Sequence, residues 1–375
     1  MAKGAKPGKI TNADLRSMIN KKAGLPVAFD LREENPTEVT DWISTGSRWL
    51  DSTICRGKLA GIPVGKVVEI AGLEATGKSY MAAQIAANAQ AKGITVIYFD
   101  SESAIDPTFL LKAGCNLEDL IYVQATSVEF VLETMEQLLG SDIGRLLFIW
   151  DSLALTPAVS DIEGDFNPQS SMAVKARILA KGMAKLSNLI ANKKATFLVL
   201  NQLKANITRS PSEALTTPYM TPGGKAMIYA YSLRLWLTRP KGKKSFIEDD
   251  KGFRIGSEVR VRLEKSRFGT QGRKCNFKIL WGEDIGIMDE ESWFEAIKGS
   301  QHLSSAGSWY SLVMEDGTVK KFQPSKWMAS LKDDKFRERV IQIMDEEIVQ
   351  KFDQRVGSAS DFYDSDETVK PNEAE

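Results

Sequence analysis

The chain is poor in the residues that form metal clusters and disulfides. Its 375 residues include three cysteines, far apart at Cys55, Cys115 and Cys275, and a single histidine, His302. An odd number of distant cysteines argues against a disulfide framework and a zinc site, and it fits a reducing cytosol. One histidine excludes a histidine-rich metal site and argues against a Ser-His-Asp triad.

The sequence also has no excess of charge and no long apolar run. Lys and Arg total 49, as do Asp and Glu, so any surface that binds nucleic acid must be local. The N-terminal stretch M-A-K-G-A-K-P-G-K is basic but has no apolar segment behind it, which does not fit a signal peptide. No segment is apolar for long enough to cross a membrane. We therefore expect a cytoplasmic protein without a membrane partner.

One stretch stands out against this background, Gly72–Ser79, which has the sequence G-L-E-A-T-G-K-S. It matches the phosphate-loop pattern and lies between a β-branched apolar run at 67–71 and a helix-forming segment at 80–91. Glycines let backbone N–H groups face a polyphosphate, and the helix N-terminus adds a favourable dipole. We expect Lys78 to meet the β- and γ-phosphates and Ser79 to bind Mg²⁺. The alternative is a chance match in a glycine-containing turn.

The whole loop and the residue after it are expected to contact the nucleotide. These residues are Gly72, Leu73, Glu74, Ala75, Thr76, Gly77, Lys78, Ser79 and Tyr80.

Strand and helix signals alternate from residue 65 onward. Strands are predicted at 67–71, 94–99, 120–124, 146–151 and 195–201, and helices at 79–92, 106–113, 127–140 and 171–192. Such alternation, with continuously apolar strands, predicts an α/β fold with a mainly parallel sheet covered by helices on both faces. Ligands of these sheets bind at the carboxyl ends of the strands.

The pattern changes on both sides of this core, which we place at 41–288. Residues 1–40 are polar, with a short helix predicted at 11–22 and an extended segment at 27–31. Near the end of this core, the segments 232–237, 258–263 and 275–280 alternate apolar and polar residues. This alternation predicts an antiparallel addition to the sheet. Residues 289–356 indicate a small α+β module with a hairpin around Asp316-Gly317 and a closing helix. The tail 357–375 is acidic, and we expect it to be disordered.

Polar residues follow three of the predicted strands. Asp100 and Glu102 follow the second strand, where a carboxylate can activate an attacking water; the alternative is a helix cap. Asp151 ends the run L-L-F-I-W and is expected to hold the Mg²⁺ shell. Asn201-Gln202 ends a further strand, where a polar pair can sense the γ-phosphate; the alternative is a turn with satisfied hydrogen bonds.

Two long polar loops start from these strand ends, at 157–171 and 203–222. Loops of this length in a compact domain are usually functional or disordered. Their cations and apolar side chains suit a nucleic-acid backbone with side chains inserted between bases. The residues expected to contact DNA in or beside the loops are Met172, Lys175, Arg177, Lys204, Arg209, Tyr219 and Met220. The alternative is a pair of mobile surface loops.

Several motifs, taken in order, resemble those of the RecA-type recombinases, and among them the bacteriophage recombinases of the UvsX type. They are I-S-T-G-S (43–47), the phosphate loop, Y-F-D-S-E-S-A-I-D-P (98–107), D-S-L-A-L-T-P (151–157), I-E-G (162–164), L-N-Q (200–202), T-P-G-G-K-A (221–226) and G-S-E-V-R-V (256–261). A further stretch, G-S-W-Y-S (307–311), is similar to part of the small C-terminal module of bacterial RecA.

The resemblance implies roles at the nucleotide. Glu102 matches the catalytic glutamate, and Asp106 matches the residue that contacts adenine. Phe109 and Trp281 match aromatic residues that lie against the base, and Gln202 matches the sensor that links the γ-phosphate to the second loop.

The resemblance also implies contacts with DNA and with a neighbouring protomer. Gly223 and Gly224 match paired glycines that approach the DNA backbone. Lys265 and Arg267 match cations that reach the neighbour's nucleotide and take part in catalysis there. Ile228 stands where bacterial RecA has another interface lysine, so that contact is not expected here.

Taken together, the resemblance implies a recombinase that uses ATP and Mg²⁺ on a RecA-type ATPase core. We expect open helical filaments on single-stranded DNA, pairing with homologous duplex DNA, and DNA-stimulated ATP hydrolysis. Residues 1–40 are expected to form an oligomerisation arm, and single-strand-binding and loader proteins are expected as partners. Two alternatives stay open: a hexameric DNA helicase with the same core, and a DNA-coating filament that binds ATP without turnover.

Overall fold

A computed structural model describes residues 10–24, 26–33, 35, 37–164, 172–206, 218–240, 245–281 and 285–351. The chain divides into two units, Met1–Glu38 with Arg355–Glu375, and Val39–Gln354. In the first unit, helix α1 (Asn12–Ala23) is capped by Thr11. The Thr11 side chain accepts from the Asp14 N–H, and the Asp14 side chain accepts from the Thr11 N–H. The segment predicted to be extended, 27–31, is not part of a strand. The tail predicted at 357–375 lies outside the described residues.

Within the described residues, the second unit contains one large sheet and three smaller ones. Its described strands are β1 (Trp42–Ile43), β2 (Ile62–Pro63), β3 (Val67–Gly72), β4 (Thr95–Asp100), β5 (Leu120–Gln124), β6 (Leu146–Asp151), β7 (Thr196–Gln202), β8 (Lys204–Ala205), β9 (Tyr219–Met220), β10 (Leu233–Thr238), β11 (Phe246–Glu248), β12 (Arg254–Ser266), β13 (Lys274–Trp281), β14 (Ile285–Ile287), β15 (Leu303–Ala306), β16 (Trp309–Val313) and β17 (Val319–Phe322).

The described α-helices of this unit cover the sheet or belong to the C-terminal segment. They are α2 (Arg48–Ile54), α3 (Lys78–Gln90), α4 (Pro107–Lys112), α5 (Val128–Gly140), α6 (Val159–Glu163), α7 (Met172–Asn192), α8 (Gly224–Ala230), α9 (Asp289–Ile297), α10 (Trp327–Ser330) and α11 (Asp334–Met344). No helix within the described residues is long and apolar enough to cross a membrane.

The large sheet confirms the predicted α/β architecture. Its described strands have the order β14-β13-β12-β10-β3-β7-β6-β4-β5, and β11 pairs with β12. The strands from β10 to β5 are parallel, and β12, β13 and β14 are added antiparallel. The strand predicted at 232–237 was wrongly placed in the antiparallel addition, because β10 is parallel to β3 and is buried at nearly every position. The carboxyl ends of the parallel strands therefore lie at one edge, where the sequence predicts the functional residues.

Alternate residues of the parallel strands pack into two separate cores. Val68 and Tyr98 pack with α3 in one core. Phe99 and Trp150 pack with α5 and α7 in the other. Because both faces of β3, β4, β6 and β7 are covered, these strands need apolar side chains at nearly every position, which explains their continuous apolar runs.

The C-terminal segment has a core of its own. Strands β16 and β17 pair antiparallel and are joined through Asp316-Gly317, which confirms the predicted hairpin. Helix α11 buries Phe336, Val340, Ile343 and Met344 against residues of α9 and the small sheet, including Phe294 and Phe322. The bounds of this segment as a separate module remain a prediction.

The two long loops contain structure that the sequence did not indicate. The first, 157–171, begins with the short helix α6, and residues 165–171 lie outside the described residues. In the second, 203–222, the two ends form the antiparallel pair β8–β9, and residues 207–217 lie outside the described residues. The second loop therefore has a paired stem.

Candidate nucleotide-binding site

The phosphate loop connects β3 to α3, and close packing explains its glycines. Gly77 has φ +76° just before α3 begins, and a Cβ there would lie 2.5 Å from Cδ1 of Ile279. A Cβ on Gly72 would lie 2.5 Å from Oγ1 of Thr76, whose hydroxyl donates to the Leu73 carbonyl at 2.8 Å. Both positions favour glycine for reasons of space, and Gly77 also for its backbone conformation.

Lys78 and Ser79 open α3 and meet the end of β6. The Lys78 ammonium donates to the Leu73 carbonyl at 3.1 Å, and burial lowers the pKa of Lys78. The Ser79 hydroxyl donates to Oδ2 of Asp151 at 2.8 Å, and the Tyr98 hydroxyl donates to the same oxygen at 2.9 Å. Burial raises the pKa of Asp151. The predicted pair of Mg²⁺ ligands is thus in direct contact.

The two carboxylates after β4 have different surroundings. Asp100 is buried and accepts from the backbone N–H groups of Glu102, Ala104 and Ile105 at 2.9 to 3.1 Å, so it organises the turn. Glu102 is exposed, and its Oε1 accepts from the Ser152 hydroxyl at 3.0 Å. Of the two, only Glu102 presents its carboxylate outward beside the Asp151 strand end.

The helix cap foreseen for these carboxylates belongs instead to Asp106. Its side chain accepts from the Thr108 N–H at 2.9 Å at the start of α4, with Pro107 in the first turn. Asp106 is exposed, and its contact with adenine stays a prediction.

A cavity of about 400 Å³ brings distant aromatic residues to the phosphate loop. It is lined by residues 75–80 of the loop and helix together with Phe109, Ile279, Leu280 and Trp281. Phe109 meets Tyr80 edge to face, with ring centroids 6.2 Å apart, and Trp281 is partly exposed. An apolar slot next to a phosphate loop fits a nucleobase.

The donors at this site fit Mg²⁺ and a polyphosphate. A hydroxyl and a carboxylate are hard oxygen ligands, and Mg²⁺ usually takes only one or two protein ligands beside water and phosphate. Within the described residues, no group of three or more His, Cys, Asp or Glu side chains could form a different metal centre. Ser79 and Asp151 would hold the metal, and Lys78 with the loop backbone would hold the phosphates.

Sequence comparisons agree with this geometry. The family described as RecA N-terminal domain matches residues 9–286. Protein RecA of Colwellia psychrerythraea is 32% identical over 278 residues, which cover 74% of this chain and 76% of that protein. The proteins named RecA of Wolbachia sp. subsp. Drosophila simulans and Wolbachia pipientis subsp. Culex pipiens are 32% identical over 295 residues, or 79% of this chain and 78% of theirs.

The chain belongs to the RecA family. The comparisons do not support the narrower bacteriophage UvsX type.

The second loop of this RecA-family chain starts beside the phosphate loop. Gln202 pairs with Gly72 across β7 and β3, and the Leu203 N–H donates to the Gly72 carbonyl at 3.1 Å. Lys204 and Met220 pair across the stem and are exposed. Arg209 lies outside the described residues.

The return of this loop contains the paired glycines and an aromatic contact. Tyr219 is half-buried and meets Trp236 edge to face at 6.4 Å between ring centroids. Gly223 and Gly224 have φ values of +111° and +78°, which favour glycine, and they begin α8. Their contact with DNA stays a prediction.

The first loop gives a different result for Lys175. Its ammonium donates to the carbonyls of Leu153, Ala154 and Thr156 at 2.7, 3.2 and 2.6 Å. This is the full donor capacity of an ammonium, so the predicted DNA contact would require breaking bonds within the chain. Met172 begins α7, and Arg177 is exposed on the same helix.

Lys265 and Arg267 both contact the carboxyl end of α8. The Lys265 ammonium donates to the Ile228 carbonyl at 2.7 Å and to the Tyr229 carbonyl at 3.2 Å. Arg267 donates to the Tyr229 carbonyl at 2.9 Å. Cations at this end of a helix are stabilising, which accounts for their position in the single chain. Their role toward a neighbouring protomer stays a prediction.

Several residues around the site were missed by sequence reasoning. The Ser101 hydroxyl accepts from the Ser152 N–H at 2.8 Å, and Tyr98 and Tyr122 donate to Asp151 and Asp100. Their positions could have pointed to them, because Tyr98 and Tyr122 lie on strands that end at the site. A tyrosine in an apolar strand otherwise looks like an ordinary core residue.

Proposed function

We propose that this chain is an ATP-dependent DNA strand-exchange protein that assembles into helical filaments on single-stranded DNA. The observation that carries the proposal is the contact of Ser79 with Asp151 next to the contact of Ser152 with Glu102. This pair of contacts brings the Mg²⁺ ligands and an exposed carboxylate to one strand end. Membership of the RecA family supports the same activity.

In this proposal each residue has a defined task in hydrolysis. Bound ATP with Mg²⁺ supplies the transferable phosphoryl group. Lys78 and the loop N–H groups bind the phosphates, and Ser79 and Asp151 orient the metal. Glu102 accepts the proton of the attacking water, while the Ser152 hydroxyl orients that carboxylate. Gln202 stands between the nucleotide and the second loop, where it can report the γ-phosphate.

DNA binding and assembly follow from the two loops and from α8. The loops hold single-stranded DNA without reading its sequence, and pairing with homologous duplex DNA is left to the bases. Lys265 and Arg267 complete the nucleotide site of a neighbour in a head-to-tail filament, with residues 1–40 as an oligomerisation arm. We expect the protein to act in the cytoplasm with single-strand-binding and loader proteins.

Electron microscopy with single-stranded DNA and a non-hydrolysable ATP analogue tests this function. Helical filaments are expected, whereas closed rings would favour a helicase. Glu102→Gln should still form filaments with ATP, while ATP turnover falls by a factor on the order of a hundred or more. Failure of this variant to assemble would give Glu102 a structural role instead.

A mixing experiment tests whether the site is shared between protomers. Glu102→Ala and Arg267→Ala should each be nearly inactive as an ATPase. Co-assembled in equal amounts on DNA, they should form roughly a quarter of interfaces with both residues intact, and turnover should recover to about that fraction. No recovery, with co-assembly shown by labelled protein, would place the action of Arg267 within its own chain.

A further inference from the structure

A charged pair lies in the middle of the large sheet, and each member has apolar residues before and after it on its own strand. Glu69 of β3 is 0% exposed, and Arg234 of β10 is 6% exposed. They occupy paired positions on adjacent parallel strands, and Arg234 Nε donates to Glu69 Oε2 at 2.6 Å. The nucleotide site described above does not use either residue.

The other contacts of this pair lead to the two ends of the second loop. Asn201, just before the loop, donates from Nδ2 to Glu69 Oε1 at 3.0 Å and to the Pro222 carbonyl at 2.9 Å. Arg234 donates from Nη2 to the Thr221 hydroxyl at 2.9 Å. One buried carboxylate is therefore connected to the residue before the loop and to the last two residues of the loop.

These contacts continue into the paired stem and the phosphate loop. The Asn206 N–H donates to the Pro218 carbonyl at 2.9 Å, which closes the stem beyond β8 and β9. Asn201 pairs with Ala71 across β7 and β3, one residue before Gly72. The root of the second loop and the start of the phosphate loop thus share the same short segment of β3.

Stability alone does not explain charges at this place. Removing two ions from water is costly, and well-packed apolar residues in place of a buried ion pair are often as stable or more so. A buried pair with all its partners in fixed directions does, however, specify one arrangement of the segments that it joins. Here those segments are β3, β7, β10 and the end of the loop.

We propose that Glu69, Arg234 and Asn201 are positioning residues that hold both ends of the loop 203–222 in one register over the start of the phosphate loop. They bind neither nucleotide nor DNA. The arrangement gives the second loop a fixed origin, so that a change at the nucleotide can be transmitted to bound DNA. This last consequence rests on the proposed function, while the positioning itself does not.

Hydrogen exchange of the nucleotide-free protein tests the positioning directly. The variant is Glu69→Met with Arg234→Met, which keeps the site filled by adaptable apolar side chains. Amides of 203–206 and 219–221 are expected to exchange at least about tenfold faster, while peptides from β4 and β6 keep wild-type protection. Unchanged stem protection, or an equal loss over the whole core, would overturn the proposal.

Two further variants make the result specific. Arg339→Met removes another buried arginine, which donates to the Val313 carbonyl at 3.1 Å in the C-terminal segment, and it should leave the stem unchanged. Thr221→Val removes one contact of Arg234 and keeps the ion pair. It should speed the exchange of the 219–221 amides alone by a few-fold, and it decides the question if the double variant does not fold. Wild-type protection in Thr221→Val would then reject the proposal.

The same double variant tests whether bound DNA still stimulates ATP hydrolysis. Binding of a fluorescent ATP analogue should stay within about threefold of wild type, while stimulation of ATPase by single-stranded DNA should fall about tenfold or more. Full stimulation together with faster exchange in the stem would show that Glu69, Arg234 and Asn201 are not needed to connect bound DNA with ATP hydrolysis. A wild-type protein without any DNA stimulation would instead reject the proposed function and leave the exchange result intact.

Discussion

The two long loops, 157–171 and 203–222, are held at their ends by different side chains. We call these ends the first root and the second root. At the first loop, a single ammonium, that of Lys175, bonds to three carbonyls of 153–156 at the end of β6. At the second loop, Glu69, Arg234 and Asn201 come from three adjacent strands and bond to one another and to residues 221–222. The first root includes the half-buried, titratable Lys175, and Glu129 also accepts from the Val159 N–H there at 3.0 Å. At the second root, the side chains of Glu69, Arg234 and Asn201 are all buried.

This difference shows which root can be adjusted by solution conditions. Burial lowers the pKa of Lys175 to about 8, with Lys204 acting in the same direction and Asp161 against it. The first root can therefore lose a proton near physiological pH, whereas the second is shielded from solvent. We infer that the first loop responds more readily to its surroundings and the second is held more rigidly.

The largest loss of stability is expected when one member of the buried pair Glu69–Arg234 is replaced and the other is kept. Arg234→Met leaves the carboxylate of Glu69 buried without its cation, and the free energy of unfolding should fall by about 3 to 5 kcal/mol. Adding Glu69→Met should recover most of that loss, because no unpaired charge is left. Urea unfolding of the single and double variants measures both values, and equal stability of the two would contradict a paired charge at this root.

A smaller effect is expected at the first root. Lys175→Met leaves three carbonyls without their donor and should lower the free energy of unfolding by about 1 to 3 kcal/mol. Lys181→Met, at an exposed position on the same helix, is the matched control and should change little.

The same variant separates the inward contact of Lys175 from the predicted DNA contact. If Lys175 binds a phosphate, Lys175→Met should weaken DNA binding and reduce the salt slope by about one, with little change in stability. The inward contact predicts loss of stability with an unchanged salt slope. Salt titration of DNA binding beside urea unfolding distinguishes the two.

Elements with a strong local pattern could be predicted from the sequence. The strand expected at 146–151 coincides with β6, because a covered parallel strand must be apolar throughout. The strand expected at 120–124 also coincides with β5, although β5 lies at the sheet edge with Ile121 and Tyr122 exposed. The pairs β1–β2 and β8–β9 could not be predicted. Each of their strands has two residues, which is too short for a periodic signal, so they depend on the partner strand alone.

In the candidate site too, some residues could be predicted from the sequence and others could not. The phosphate loop was evident because its backbone and glycines carry the function, and these leave a fixed spacing in the sequence. The sequence predicts a DNA contact for Lys175, because a sequence does not show whether an ammonium points into the protein. Glu69 and Arg234 were overlooked within the apolar runs V-V-E-I-A and L-R-L-W-L. A charge inside a strand that is otherwise buried requires a partner, and that rule would have pointed to them.

A pH dependence is also expected at the first root. The pKa of Lys175 is about 8 in the folded chain and 10.5 as the ordinary value for lysine. Between these values the unfolded chain holds more protons than the folded chain, so unfolding is increasingly disfavoured as pH rises. Relative to Lys175→Met, the wild-type protein should therefore gain stability from pH 8 toward pH 10.5. Urea unfolding of both proteins across this range measures the difference, and Lys181→Met, which keeps Lys175, should follow the wild-type trend. A wild-type advantage that falls with pH would mean that the three carbonyls raise the pKa of Lys175 more than burial lowers it. The first root would then be fixed over this range as firmly as the second, and the contrast between the two loops would be lost.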